Sequence, residues 1–542
     1  MSLPKNIISV AVLMIMGGTA TAADKLAIIN RASVQIKSNI AATRTSANDS
    51  FVARSTIVDA DGTEHVRFDR SFKGLPVIGG DMVVHSKAGR FKSASLTLAK
   101  PLNLSVVPKL KSADALVIAG SDFGTGFEGL PTTRLVVFAR AAVPKLAYET
   151  LYTGVRADRT PTRMHYFVDA NSGKILAKWD AIETGKVPNV GNPEPAPATG
   201  GTGRSLLSGT VPLNTVYGNR KLYELKDATR GGIYTVDYGN TFRDETAIKF
   251  LDGDNVWGNS TRSDRATIAV DAQYGVTKTW DFYKNVFGRV GVRNDGVGTM
   301  NAVHFQSKYM NAFWSDDCFC MVFGDGDGVN YNPFVMIDVT GHEMTHGVTS
   351  HTSALEYYGA SGGLNEATSD IMGAMVEFYT NNGNNPPNYL IGEKIFVDNP
   401  GNLSALRYMF KPSLDGISPD CYPERDENPD GYEFFFNNYM DVHFNSGVAN
   451  HFYYLLAEGV QVPGGYGLTP DDLVCNGNTA LQGIGRSAAQ QIWYRALVLY
   501  MTSNSNYDDA RAATLSAATD LYGANSAQRN AVAAAWAAVN LN

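Results

Sequence analysis

No stretch of this 542-residue sequence is apolar for long enough to cross a bilayer as a helix. The run Ile7–Met16 covers about half of the ~20 residues that a spanning helix needs. Lys5 before it, and Gly17-Gly18 with Ala20-Thr21-Ala22 after it, make residues 1–23 read as a secretory signal peptide, cut after Ala22 or Ala23. A secreted product with no membrane partner is expected. Cysteine is scarce: Cys318, Cys320, Cys421 and Cys475 are the whole set. Export favours disulfides, but four cysteines allow three pairings, and the sequence does not choose among them. Cys-x-Cys also misses the Cys-x₂₋₄-Cys spacing usual for zinc. A basic excess is missing too. Lys+Arg total 46 against 53 Asp+Glu, net −7, so nothing favours nucleic acid, whose phosphates need a concentrated basic face. Glycine (53) and proline (22) are too few for collagen-like or low-complexity chains, and 44% hydrophobic residues suit a globular protein. The length suggests about three or four domains.

Proline and glycine concentrate in one place. Residues 187–203 (VPNVGNPEPAPATGGTG) hold four of each, which reads as an exposed linker open to proteases rather than as a helix or strand. Upstream, alternating runs such as Thr63–Phe72 and Asp81–His85 give an α+β pattern with no dense group of catalytic residue types. Charge divides here as well. Residues 24–200 carry 23 basic and 16 acidic groups, net +7, while 201–542 carry 22 and 37, net −15. Opposite charge on two segments joined by a cleavable linker suggests complementary partners. Residues 205–335 have short strand-like runs (Gly209–Leu213, Gly232–Asp237) and one helical stretch near Val270–Phe287. From Asp338 onward the helical period dominates, as in Ala488–Met501, Asp508–Tyr522 and the alanine-rich Asn530–Val539. A strand-rich lobe (204–350) and a helical lobe (351–542) therefore meet at about 338–350, and a cleft there is the expected place for a site.

That junction carries the most specific pattern in the chain, Gly341-His342-Glu343-Met344-Thr345-His346-Gly347. Positions i and i+4 share a helix face, so both imidazoles can reach one Zn²⁺, with Glu343 beside the open coordination position as general base for an activated water. A catalytic zinc needs a third protein ligand. In Gly362-Gly363-Leu364-Asn365-Glu366-Ala367-Thr368-Ser369-Asp370, Glu366 and Asp370 are again i and i+4. One of them could ligate the metal while the other accepts a hydrogen bond from a ligand imidazole.

With these motifs the chain resembles the thermolysin-type zinc metallopeptidases, and the likeness spans nearly everything after the signal peptide. Residues 64–85 (EHVRFDRSFKGLPVIGGDMVVH) and Met164–Trp179 resemble the family's propeptide. Asn311-Ala312-Phe313-Trp314 resembles its substrate-binding edge strand. Tyr357, Leu406-Arg407-Tyr408-Met409 and Asp441-Val442-His443-Phe444-Asn445-Ser446-Gly447 resemble further active-site segments. The resemblance implies an α+β, two-lobed, zincin-like peptidase preceded by an α+β propeptide over 24–200. It implies zinc on His342, His346 and Glu366, Glu343 as base, and Asp370 as partner of a ligand histidine. It further implies His443 and Tyr357 as oxyanion donors, Asp441 orienting His443, and Asn311, Ala312 and Arg407 holding the substrate backbone. Phe334, Val339 and Leu406 would wall the pocket for a bulky apolar residue on the leaving-group side, with broad specificity, since such pockets discriminate by only ~1–3 kcal/mol per methylene.

The same resemblance implies at least one structural Ca²⁺. Asp338, Glu377 and Glu393 match acidic positions of the family's calcium site. Asn388 stands where an acid is frequent, and Leu390 where another is, able to offer only its carbonyl. The run Gly324-Asp325-Gly326-Asp327-Gly328 mimics an EF-hand, but Met336 stands where the terminal Glu belongs, so a glycine-rich turn is expected. The implied product is a monomeric, secreted endopeptidase acting on proteins and peptides, made as a zymogen with its propeptide as intramolecular inhibitor. A non-catalytic relative is disfavoured by the full set of ligands with Glu343 and His443, and a hydrolase of non-peptide bonds by the backbone-binding residues.

Overall fold

The structure, a computed structural model, describes residues 22–124, 126–141, 143–156, 161–180, 198–218, 221–241, 247–425 and 431–542. Residues 1–21 of the expected signal peptide and 187–197 of the expected linker lie outside these ranges. The remainder of the linker corrects the sequence reading. Ala198–Arg204 is a strand, paired antiparallel with Thr210–Tyr217, Gly201 opposite Leu213. Its glycines answer to packing rather than turning. A Cβ at Gly203 would lie 2.5 Å from Val270 Cγ1, and one at Gly201 2.4 Å from Asn255 Oδ1.

Before the linker, the described residues build one nine-stranded sheet. Helix Ala22–Ser38 covers its first half, with Ile28, Ala32 and Ile36 at helical spacing against Val66, Phe68, Met82 and Val84. Helix Ser112–Phe123 covers the second half through Ala115 and Ala119, which meet Leu146, Tyr148 and Val168. Strand Leu75–Ile78 joins the halves, antiparallel to Thr63–Phe72 and parallel to Phe127–Phe138.

After the linker come a five-stranded and a six-stranded sheet, with the buried helix Arg265–Phe287. Edge strand Ala312–Ser315 pairs antiparallel with Cys320–Phe323. The turn between them is closed by a Cys318–Cys320 disulfide, and a Cys421–Cys475 bridge spans the helical lobe. That lobe includes helices Gly447–Glu458, Arg486–Leu499, Tyr507–Tyr522 and Ala527–Ala538. No helix of the described residues is long and apolar enough to cross a membrane.

Two buried helices, Ile337–Ser350 and Gly359–Thr380, position the site. They cross where Gly341 faces Gly373: a Cβ at Gly373 would lie 2.5 Å from the Asp338 carbonyl oxygen, and one at Gly341 3.0 Å from Gly373 Cα. Backbone-to-backbone contact brings the side chains on either side of the crossing onto common points. Met344, Val348, Leu364, Ile371 and Met372, all fully buried, fix the crossing, and each large apolar side chain among them contributes about 1.5–3 kcal/mol. Gly347 lies flat against the Trp314 ring of the edge strand, where a Cβ would come within 2.7 Å.

Candidate active site

The crossing makes three side chains converge. His342 and His346 present their Nε2 atoms to each other at 3.0 Å, and Glu366 places its oxygens 3.5 Å from the first and 3.4 Å from the second. The other ring nitrogens are spoken for. His342 Nδ1 lies 2.9 Å from Asp370 Oδ1, and His346 Nδ1 2.8 Å from Asn365 Oδ1. A carboxylate can only accept, and Asn365 donates its amide to the Leu355 carbonyl, which leaves its oxygen facing the ring. Both Nδ1 atoms therefore carry the proton, and both Nε2 lone pairs point at one spot together with a carboxylate. Glu366 Oε2 has no hydrogen-bond partner there despite full burial. Two imidazole lone pairs and a carboxylate oxygen repel one another unless a cation lies between them, and this donor set fits zinc.

Charge around the centre follows its partners. Burial alone would raise the Glu366 carboxyl, but His443, His342, His346 and Arg407 bring it down to about 2. Burial would likewise raise Asp370, yet Arg407 and His342 hold it well below the carboxylate range. Burial, with His342 beside it, pulls His346 down to about 4, keeping that imidazole neutral. Asp370 accepts from Arg407 Nε (2.7 Å) and Nη2 (2.6 Å) and from Asn450 Nδ2 (2.8 Å), besides His342. Arg407 thus braces the histidine's partner while lining the cleft. Asn365 and Asn450 escape sequence reasoning because an asparagine within a helix carries no spacing signal of its own.

The cleft is a cavity of about 380 Å³. Glu343, 6% exposed, opens onto it, its carboxyl pushed up to about 7 by burial. Tyr357 donates its hydroxyl hydrogen to Glu366 and lies 3.1 Å from His443 Nε2. Asp441 caps the short helix Val442–Asn445 by accepting from the His443 N–H (3.0 Å), and the same oxygen lies 2.9 Å from His443 Nδ1. Desolvation would lower the His443 imidazole, but Glu366 and Asp441 outweigh it and raise it. Asn311, Ala312, Phe334, Val339, Leu406 and Arg407 all line this cavity. So do Arg156, Lys178, Trp179 and Asp180 from the region before the linker.

A second buried group lies one turn away on the same two helices. Asp338 stands four residues before His342, and Glu377 seven after Asp370. Glu393 joins them from a loop. Asp338 accepts from Gly392 N–H at 2.5 Å, Glu377 from Asn388 N–H at 3.1 Å and from the Asn385 amide, and Glu393 from Asn388 Nδ2 at 3.2 Å. Asp338 Oδ1, Glu393 Oε2 and Asn385 Oδ1 are buried with no partner. Burial raises all three carboxyls, and repulsion from neighbouring carboxylates adds to it at the two glutamates, lifting Glu377 well above its usual range and Glu393 to about 8. Leu390 pairs in a two-residue strand and donates its N–H to Asn388 Oδ1 at 2.6 Å. The Gly324–Gly328 run is a turn. Asp327 accepts from the backbone of Val329, Asn330 and Tyr331, and Asp325 is tied to His304 and Asn240.

Three family models match the sequence. Thermolysin metallopeptidase, catalytic domain, matches residues 200–350. Thermolysin metallopeptidase, alpha-helical domain, matches 353–541, and the fungalysin/thermolysin propeptide motif matches 49–98. Among curated proteins, a transglutaminase-activating metalloprotease of Streptomyces mobaraensis is 42% identical over 91% of this chain, which spans 61% of that protein's length. A thermolysin of Alicyclobacillus acidocaldarius subsp. acidocaldarius is 37% identical over 91% of this chain and 86% of its own. A bacillolysin of Bacillus cereus is 37% identical over 92% and 86%.

Proposed function

Because this chain belongs to the thermolysin family of metallopeptidases, we propose that it is an exported precursor of a zinc-dependent neutral endopeptidase. His342, His346 and Glu366 hold the metal, which when bound polarises the scissile carbonyl and acidifies the attacking water. Glu343 takes the water's proton and later delivers it to the leaving amine. Burial favours the protonated form of Glu343, which suits a group that must hold the proton between the two transfers. Tyr357 and His443 donate to the oxygen that gathers charge. Asp441 takes the Nδ1 hydrogen of His443, so the ring donates from Nε2 when it is an imidazolium, the form that Asp441 favours. Asn311, the Ala312 backbone and Arg407 hold the peptide backbone. Phe334, Val339 and Leu406 take a bulky apolar side chain on the leaving-group side.

The paired carboxylates Asp338, Glu377 and Glu393, with Asn385, Asn388 and the Leu390 segment beside them, hold calcium as an all-oxygen set. Their unpartnered buried oxygens support that reading. Residues 24–200, as read from the sequence, include the inhibitory propeptide. Lys178, Trp179 and Asp180 lie in the cleft where substrate must enter. Its removal requires a cut in 181–197, since Ala198–Arg204 is paired into the peptidase sheet. Residues 1–23 direct export, and the mature enzyme acts as a monomer on protein substrates.

The observation that carries the reading is the convergence of two Nε2 lone pairs and an unpartnered Glu366 oxygen beside the buried Glu343. Casein zymography of secreted material, with and without 1,10-phenanthroline, tests it. Clearing should vanish with the chelator and return with added zinc; clearing indifferent to the chelator contradicts it.

A further inference from the structure

The propeptide touches the peptidase through several cations, and they are not alike. Arg67 reaches the peptidase only at the carbonyl oxygens of Met501 (2.8 Å) and Val498 (3.3 Å). Arg495 of the peptidase pairs with Asp59 at 2.5 Å. Arg140 instead enters a shaped cradle. Its guanidinium, with only 8% of the side chain exposed, pairs with Glu356 and donates to Ser361 Oγ at 2.7 Å and to the Tyr358 carbonyl at 3.3 Å. It lies over the Tyr358 ring, 5.6 Å from the centroid, and over Trp179 at 5.2 Å. Every one of these partners except Trp179 belongs to the peptidase. The cradle is also held from within the peptidase, because Ser361 Oγ lies 2.7 Å from the Glu356 carbonyl and 2.9 Å from the Tyr358 carbonyl, and Glu356 N–H donates to the Ser503 carbonyl (2.9 Å). It also adjoins the cleft: Tyr358 and Gly359 line that cavity, and Tyr357 is the next residue.

We propose that the mature enzyme, once the propeptide has gone, binds an arginine side chain of a peptide or protein substrate at Glu356, Tyr358 and Ser361, on the rim of the catalytic cleft. A carboxylate, a hydroxyl, a carbonyl and an aromatic face around one planar cation form a guanidinium-selective set. In the precursor Arg140 fills the site and so competes for it. Removing Arg140 leaves Glu356 without its counter-charge, which favours capture of another cation. The inference rests on the reading that the propeptide is cut away.

The test uses purified mature enzyme and a peptide series with one fixed cleavable bond before a bulky apolar residue. A single arginine is moved along the peptide, and each member is matched with a citrulline twin of the same shape and no charge. At one offset the arginine peptide should show a KM about tenfold lower than its twin, with kcat within about twofold. The Glu356→Gln enzyme should erase the difference. If that variant fails to mature, N-acetyl-arginine amide added to the wild type should raise KM for the arginine peptide and leave the citrulline twin unchanged. Equal KM values at every offset, or a preference that survives Glu356→Gln or is indifferent to the amide, overturn the proposal. Hydrolysis of no peptide at all contradicts the peptidase reading instead. Fluorescence anisotropy with dye-labelled arginine and citrulline peptides then decides the site, equal affinities overturning it.

Discussion

Two buried clusters share the helices Ile337–Ser350 and Gly359–Thr380, and they handle charge in opposite ways. At His342, His346 and Glu366 the protein supplies its own cations. The imidazoles and Arg407 hold Glu366 down at about 2, and Arg407 with His342 keeps Asp370 well below the carboxylate range. At Asp338, Glu377 and Glu393 burial lifts the carboxyls, with repulsion between neighbours added at the two glutamates, Glu393 reaching about 8. The first cluster has hydrogen-bonded partners behind its donors, Asp370 and Asn365, while the second leaves three buried oxygens without any. Nitrogen and oxygen donors with hydrogen-bonded outer partners suit a catalytic metal, and an oxygen-only set suits a structural one.

The largest way to break this contrast is His346→Ala. Zinc and casein hydrolysis should fall together, hydrolysis by ~10⁴-fold or more, while calcium content and melting temperature stay close to wild type. Loss of calcium as well would mean that the clusters are not independent. His443→Ala should lower kcat by about 10²–10³ with zinc retained, as expected for one oxyanion donor. Asp370→Ala should weaken zinc about 10- to 100-fold, measured by chelator competition, because the His342 Nδ1 hydrogen loses its acceptor.

The smallest effect belongs to the carboxylate cluster and depends on pH. A folded carboxyl raised above its unfolded value binds the proton more tightly in the folded state, so stability falls as pH rises between the two values. For Glu393 that window runs from about 4.5 to about 8. The melting temperature of calcium-free enzyme should therefore decline across it, and added calcium, which favours the ionised form, should remove most of the decline. A calcium effect equal at pH 5 and pH 8 would contradict the assignment.

Much of the metal centre was legible in the sequence because helical period alone puts His342 and His346 on one face. That same period could not separate Glu366 from Asp370, since both sit at i and i+4. The glycine crossing separates them, bringing Glu366 to the Nε2 atoms and Asp370 to an Nδ1. Strand Ala198–Arg204 was misread because its glycines look like turn residues until Val270 and Asn255 are packed against them. The disulfide pairings stayed open because spacing does not constrain distance through space; the structure joins Cys318 to Cys320 and Cys421 to Cys475. Asn385 and the Arg140 cradle depend on contacts between segments distant in sequence, and no local pattern encodes them.

The most direct test of the central claim is metal content and turnover of Glu343→Gln, processed to its mature form by added wild-type enzyme. One zinc per chain should remain while kcat drops by about 10²–10⁴, since the three ligands are untouched and only the proton carrier is lost. Hydrolysis at the wild-type rate with zinc bound would contradict the account.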